Sequence, residues 1–136
     1  MASREAVIRF TAAISELGPA SEAIRAFLDT VEIGPARRYQ IELAFDEIAS
    51  NIIRHGQPVS AIALTITIHD ADVVLTFEDN GVAFDPRMHT SAAQPASAAN
   101  APIGGLGLAL VKSFVTRIDY DRVGPHNRLT LTIPLR

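Results

Sequence analysis

The chain has no cysteine, and none of its apolar runs approaches the roughly 18 residues needed to cross a membrane. Without cysteine it forms no disulfide and no thiolate metal site. The N-terminal stretch MASREAVIRF also lacks the apolar region of a secretory signal. We therefore expect a cytoplasmic protein that does not contact a membrane.

Basic residues are scarce as well, because 12 Lys and Arg stand against 15 Asp and Glu, for a net charge of −3. A nucleic-acid surface needs clustered Lys and Arg, so we expect no direct nucleic-acid partner. The length of 136 residues argues for a single domain over 1–136. A chain of this size buries roughly two thirds of its unfolded surface, which is enough for a real core.

The hydrophobic pattern predicts five strands and three helices. Alternating residues predict strands at about 6–12, 62–68, 73–78, 118–123 and 128–135. A period of 3.6 residues predicts helices at about 22–33, 36–55 and 105–117. Ser21 is expected to cap the first helix, and the third is expected to turn Leu110, Val111, Phe114 and Val115 inward.

The predicted strands are apolar on one side and mostly joined by short turns, which favours a largely antiparallel, mixed sheet. We predict an α+β two-layer sandwich in which three helices cover one face of about five strands. Residues 87–103, RMHTSAAQPASAANAPI, show no period and exceed the ~12–15 residues at which a structureless loop becomes unusual. Loops of this kind are often lids.

A row of three polar residues lies on the second predicted helix, in the stretch DEIASNIIRHG. Glu47, Asn51 and His55 are four residues apart, so each step turns the row by only about 40° around the helix. The row therefore lies beside the apolar face, half-buried and able to face a cavity. A carboxylate and an amide oxygen placed this way suit a hard cation such as Mg²⁺. An ordinary polar helix flank has the same pattern.

The stretch FEDNGVAFDP follows the second central strand. Asp79 lies where the strand ends, and Gly81 permits a close approach of the backbone. A carboxylate in this position can accept a hydrogen bond from an exocyclic amine. The alternative is a simple Asp-Asn-Gly turn, because these residues dominate turns for backbone reasons.

Three glycines, Gly104, Gly105 and Gly107, precede an apolar run in APIGGLGLAL. Their spacing is neither a dinucleotide fingerprint nor a Walker A loop. Two interpretations stay open: free N–H groups of a helix N-terminus directed at an anion, or a flexible hinge at the end of the loop.

The combined order is Glu-x-x-x-Asn-x-x-x-His on a helix, Asp-x-Gly after a strand, a long loop, and Gly-x-Gly into a helix. It resembles the GHKL ATP-binding superfamily over about residues 5–136. The segments FDEIASNIIRHG and EDNGVAFDP are most similar to the anti-sigma factor serine kinases. Ala83 departs from the pattern, because many members have the last glycine of Asp-x-Gly-x-Gly there.

The resemblance implies a Bergerat ATP-binding fold and a role for each element. Asn51 would hold Mg²⁺, Asp79 would bind the adenine amine, and Gly81 would shape that pocket. Glu47 would be the general base, and residues 87–103 would be the ATP lid. The residues near the N-terminus of the third helix that would contact the phosphates are Gly105, Leu106, Gly107 and Leu108.

His55 has two interpretations. It either contacts phosphate or Mg²⁺-bound water, or it simply ends the helix, where a cationic ring suits the dipole. We favour the helix end.

Three functions compete at this point. The first, which we favour, is an ATP-dependent serine kinase that acts as an anti-sigma factor, binding a sigma factor and phosphorylating an antagonist protein. The second is a non-catalytic regulator in which nucleotide occupancy controls partner binding. The third is a histidine-kinase catalytic domain acting in trans, which the lack of a phosphoacceptor helix pair disfavours. Glu47 favours the first over the second, since a pure binder needs no base. The resemblance also leaves open a homodimer.

Overall fold

The computed structural model of the chain describes residues 3–88 and 103–135, with residues 103–106 described by their backbone alone. In chain order the elements are β1 (Arg4–Thr11), a 3₁₀ turn (Ile14–Glu16), α1 (Leu17–Leu28), α2 (Pro35–His55), β2 (Ala61–His69), β3 (Asp72–Asp79), α3 (Ile103–Phe114), β4 (Arg117–Val123) and β5 (His126–Pro134). None of the helices within these residues is long and apolar enough to cross a membrane.

The strands form one five-stranded sheet in the order β1-β2-β3-β5-β4. Every pairing between these strands is antiparallel, so the parallel pair that a mixed sheet would contain is not found among them. The alternation of each strand sends one set of side chains toward the helices and the other set to the open face. This architecture confirms the predicted α+β two-layer sandwich.

The core lies between the sheet and the helices. Helix α2 runs through its centre, and all five residues predicted for its apolar face are buried: Ile41, Ala44, Phe45, Ile48 and Ile52. The helix begins at Pro35, whose missing N–H costs nothing in the first turn. It ends at His55, and Gly56 follows as the C-cap.

Some local predictions were wrong, among them the end of α1, which lies at Leu28 and not at about residue 33. Helix α1 begins at Leu17, directly after the 3₁₀ turn, so Ser21 lies inside the helix instead of capping it. On α3, Leu110 is 46% exposed, whereas Leu108 and Val111 are buried. Leu110 is two residues from Leu108, about 200° around the helix, and therefore faces away from the core.

Candidate functional site

The polar row on α2 lies partly inside the protein, as its spacing predicts. Asn51 is 3% exposed, and its Oδ1 accepts a hydrogen bond of 3.3 Å from Nη2 of Arg54. His55 is exposed at the end of the helix, and its ring centroid is 5.6 Å from that of Phe84. His55 is the last residue of α2, a position that fits both interpretations of it, so its role stays a prediction.

Glu47 is the unusual member of this row. Its Oε1 is buried and has no hydrogen-bond partner among the described residues. Burial raises the pKa of the Glu47 carboxyl above its usual value; Arg54 opposes this rise and the negative charge of Asp46 adds to it. A buried acceptor without a donor is costly, so a hydroxyl or a water that reached this oxygen would remove that cost.

At the end of β3, the Asp79 carboxylate is held from one side. Asp79 is 5% exposed, and its Oδ1 accepts hydrogen bonds from the Gly81 backbone N–H at 2.8 Å and from Asn127 Nδ2 at 3.0 Å. Within the described residues Oδ2 accepts no hydrogen bond, so it remains the oxygen that can receive an amine.

The loop that follows Asp79 and contains Gly81 and Val82, here called the Asp79 loop, packs against the end of α2. A Cβ at position 81 would lie 2.3 Å from the carbonyl oxygen of Gly56, far inside contact distance. Next to it, the Val82 N–H donates to the same oxygen at 3.1 Å. The close approach requires glycine, and it fixes the Asp79 loop beside the C-terminal turn of the helix that carries Asn51.

Helix α3 completes the arrangement from the other side. A Cβ on Gly107 would lie 1.8 Å from Glu47 Oε1 and 2.0 Å from Glu47 Cδ, so the bare backbone of α3 packs on the carboxyl group. The structure therefore brings residues from α2, β3 and α3 to one end of the sandwich.

A cleft of about 600 Å³ lies at the same end of the sheet. It is lined by strand-end residues of β1, β2 and β3, together with Asn80 and His126. Asp79 is part of its lining, but Glu47, Asn51 and Gly107 are not. The lining of the cleft thus shares Asp79 with the predicted site and includes none of the described residues of α2 or α3.

Several known proteins are similar to this chain. Residues 10–133 match the family described as Histidine kinase-like ATPase domain. The chain belongs to this family. Its ATPase character supports ATP as the ligand of the site.

Two relatives of this histidine kinase-like ATPase domain are informative. Serine/threonine-protein kinase BtrW of Bordetella bronchiseptica is 37% identical over 99 residues, which are 70% of this chain and 69% of BtrW. A solved structure of the RsbU and RsbW domains of Rv1364c from Mycobacterium tuberculosis matches with a TM-score of 0.65 at 17% identity. That match covers 97% of this chain and 32% of the solved chain, and it shows the fold. The resemblance to the GHKL superfamily and its anti-sigma-kinase-like branch is confirmed.

In this ATPase domain, the boundaries of α3 bear on the predicted phosphate contacts. The helix begins at Ile103, so the free N–H groups of its first turn extend to Gly105. The N–H groups of Gly107 and Leu108 lie beyond that turn, within the helical ladder, and the Leu108 side chain is buried in the core. Gly105 therefore fits a phosphate contact better than Gly107, whose described neighbour is Glu47. The phosphate role of Gly105, Leu106, Gly107 and Leu108 stays a prediction, and most of the predicted lid at 87–103 lies outside the described residues.

The donor set of this ATPase domain fits Mg²⁺ held mainly by phosphate and water. The described residues contain no group of three His, Asp or Glu side chains that would hold a metal alone. Asn51 contributes one buried oxygen whose partner, Arg54, is at the long distance of 3.3 Å. Mg²⁺ normally takes only one or two protein oxygens in a nucleotide site. Asn51 thus suits the role predicted for it.

Two residues beside the site were not predicted from the sequence. Arg54 touches Asn51 and acts electrostatically on Glu47. Asn127 bonds to Asp79. It lies on the same side of β5 as the buried residues Leu129, Leu131 and Ile133. A polar residue at a core-facing position is a readable signal, but the predicted strand began one residue after it.

Proposed function

We propose that this protein is an ATP-dependent serine kinase that acts as an anti-sigma factor, binding a sigma factor and phosphorylating a small antagonist protein. The carrying observation is the buried Glu47 oxygen, which has no hydrogen-bond partner among the described residues and lies on the same helix face as Asn51. The family supports ATP binding, and the kinase BtrW, the relative at 37% identity, supports phosphotransfer to a hydroxyl.

In the proposed reaction each residue has a limited task, because phosphoryl transfer depends on positioning and charge neutralisation. Asp79 Oδ2 accepts the adenine amine, and Asn51 holds Mg²⁺, which neutralises charge on the phosphates. Glu47 accepts the proton of the antagonist's serine hydroxyl while that oxygen bonds to the γ-phosphorus and ADP leaves. Glu47 must be ionised for this step, so its raised pKa shifts the loss of activity at low pH upward.

The test uses purified protein, radiolabelled ATP, Mg²⁺ and candidate antagonist domains encoded beside it. We expect label on a serine of one antagonist. Glu47→Gln should lower this transfer by roughly a hundredfold or more, because a positioned base contributes about 10²–10⁴-fold. Its dissociation constant for ATP should stay within a few-fold of the wild-type value.

Glu42→Gln is the matched control. Glu42 is on the same helix, but it pairs with Arg25 at 2.9 Å, away from the polar row. The control variant should transfer phosphate like the wild type. Equal loss of ATP binding and transfer in Glu47→Gln would contradict the base role.

One observation favours the second function, a regulator that binds ATP without catalysis. Glu47 packs against Gly107, so in this conformation α3 covers the carboxyl group that a kinase must expose to its substrate. Tight ATP binding with no label on any antagonist would support that function.

A further inference from the structure

The last row of side chains on the helix-covered face of the sheet is polar in three strands. Strand pairing places Asp79 of β3 opposite Asn127 of β5, and Asn127 opposite Arg122 of β4. Rows further along the same face are apolar, as where Phe77 pairs with Leu129. Asp79 and Asn127 are 5% and 3% exposed, so the row closes the core beside the Asp79 loop.

Asn127 uses both ends of its side-chain amide. Its Nδ2 donates to Asp79 Oδ1 at 3.0 Å and to the carbonyl oxygen of Val82 at 2.7 Å. Its Oδ1 accepts from the backbone N–H of Phe84 at 3.2 Å and from the Tyr120 hydroxyl. Two donors and two acceptors are thereby satisfied, and a reversed amide would set donor against donor and acceptor against acceptor.

The fixed amide determines what Asp79 can offer to a ligand. Oδ1 already accepts from Gly81 and Asn127, whereas Oδ2 accepts no hydrogen bond from the part of the chain that the structure describes and so remains as an acceptor. Arg122 adds a second brace, because its Nη1 donates to the carbonyl oxygen of Gly81 at 2.8 Å. The β4–β5 hairpin thus holds both the carboxylate and the loop that follows it.

We propose that Asn127, held by Tyr120, is a positioning residue that sets Asp79 as a one-sided acceptor and so selects purines with an amino group at position 6 over 6-oxopurines. This inference rests on the nucleotide site of the proposed function. A carboxylate oxygen accepts from an exocyclic amine, but it repels a carbonyl oxygen in the same place. Without the Asn127 hydrogen bond, Asp79 is free to rotate, and the distinction weakens.

The test compares ADP with inosine diphosphate, because the two share ribose and phosphates and differ at the 6-position edge of the purine. Their ratio of dissociation constants therefore isolates the heterocycle from every phosphate and metal contact. For the wild-type protein we expect ADP to bind about tenfold to a hundredfold more tightly, the range expected for one mismatched buried polar contact. Both constants are measured by calorimetry across the pH range in which the protein stays folded.

Asn127→Asp places a second carboxylate against Asp79. Two facing carboxylates share one proton, and the pair titrates with a raised pKa. The charged and titratable groups with described contacts to this row are Arg122 and Tyr120, both on β4. As the pH falls through that raised pKa, a proton restores the hydrogen bond and the ratio rises toward the wild-type value. At higher pH the two charges repel each other and the ratio falls severalfold.

Two further variants make the result decisive. Asn80→Asp is the matched control, because Asn80 bonds to Ser60 and Ala61 at the start of β2 and should leave the ratio unchanged at every pH. Tyr120→Phe removes one partner of Asn127 without adding charge and should lower the ratio by a smaller factor. If Asn127→Asp does not fold, the ratio in Tyr120→Phe tests the inference by itself. A wild-type ratio in a folded Asn127→Asp variant at all pH values, or in Tyr120→Phe, would overturn the inference. If the wild type binds neither nucleotide, the proposed function fails instead.

Discussion

At the scale of single residues, Glu47 stands apart because a buried acceptor without a donor is costly for a fold. Buried carboxylate oxygens in proteins normally have a donor, yet Oε1 of Glu47 has none among the described residues. Local conflicts of this kind are expected at functional sites, where a group is kept for its chemistry. This observation is therefore in line with a substrate hydroxyl or a water that donates a hydrogen bond to Oε1.

The first prediction concerns the stability of Glu47→Gln. Because burial raises the pKa of Glu47 in the folded protein, folding favours its protonated form. This contribution is complete below the ordinary value near 4.5 and is lost as the pH rises through the raised pKa. Glutamine imitates the neutral form, so the variant should melt a few degrees higher than the wild type at pH 7. The gain should disappear at pH 4.

Thermal melts at pH 7 and pH 4 measure this difference in melting temperature between variant and wild type. Glu42→Gln serves again as the control, because it removes a carboxylate that has an ion-pair partner, and it should not gain stability at pH 7. A Glu47→Gln variant that melts lower than the wild type at pH 7 would show that the carboxylate has a stabilising partner.

Some of these residues could be predicted from the sequence and others could not. Glu47 and Asn51 could be read from the four-residue spacing, because helical geometry alone places them on one side. Asn127 could not be assigned to Asp79 in the same way. The two are 48 positions apart, and only the register between β3 and β5 sets them opposite each other.

At the scale of secondary structure, boundaries decide the site. The sequence placed both ends of α2 to within a residue, since Pro35 and Gly56 are strong local signals. It missed the start of α1 because the preceding 3₁₀ turn carries no side-chain cap signal. The predicted start of α3, at 105, is two residues late. This shift matters because it changes which N–H groups at the start of the helix are free.

The second prediction tests the contact between α2 and α3. Gly107→Ala places a Cβ where the Glu47 carboxyl lies, so Glu47 must turn away. Alanine also favours the helix by about 1 kcal/mol over glycine, which partly offsets the collision. We expect a folded protein whose unfolding free energy changes little and whose phosphotransfer falls about tenfold or more, since the proposed base is displaced.

A double-mutant cycle separates the collision from other effects of the substitution. In a Glu47→Ala background, Gly107→Ala should stabilise the protein by about 1 kcal/mol, because only the helix preference remains. Gly18→Ala in α1 is the control, since a Cβ there meets nothing within 4 Å. Its effect should be the same in both backgrounds. Zero coupling between positions 47 and 107 would contradict the described contact.

At the scale of the whole molecule, the fold brings distant segments to one end of the sheet. Glu47 and Asn51 come from α2, and Gly56 is the C-cap that follows it. Asp79 ends β3, Gly81 lies in the loop after it, and Gly107 belongs to α3, later in the chain. The alternating pattern predicted the two layers, because it shows which side of each strand is apolar. It gave no strand order, and that order is what sets β5 beside β3.

Because the proposed ligand joins these segments, it should stabilise the whole fold. A ligand that binds only the native state adds about 2.7 kcal/mol at a hundred times its dissociation constant, which raises the melting temperature by roughly 10 °C in a domain of this size. We expect this rise for ATP with Mg²⁺, and a smaller one for ATP with EDTA. Adenosine should stabilise the protein equally with and without the metal.

Asn51→Ala should remove the Mg²⁺-dependent part of the ATP effect and leave the effect of adenosine intact, because adenosine has no phosphate to carry the ion. Each variant is compared with its own ligand-free melt, which cancels the cost of removing a buried amide. Asp79→Asn should show the opposite pattern. It presents an amide in place of the carboxylate, so it should weaken stabilisation by adenosine and ATP alike, yet keep the increment that Mg²⁺ adds to ATP. Both variants are melted with ATP and Mg²⁺, with ATP and EDTA, and with adenosine. If Asn51→Ala and Asp79→Asn changed these three stabilising effects in the same proportion, the metal and the purine would not be held by separate residues.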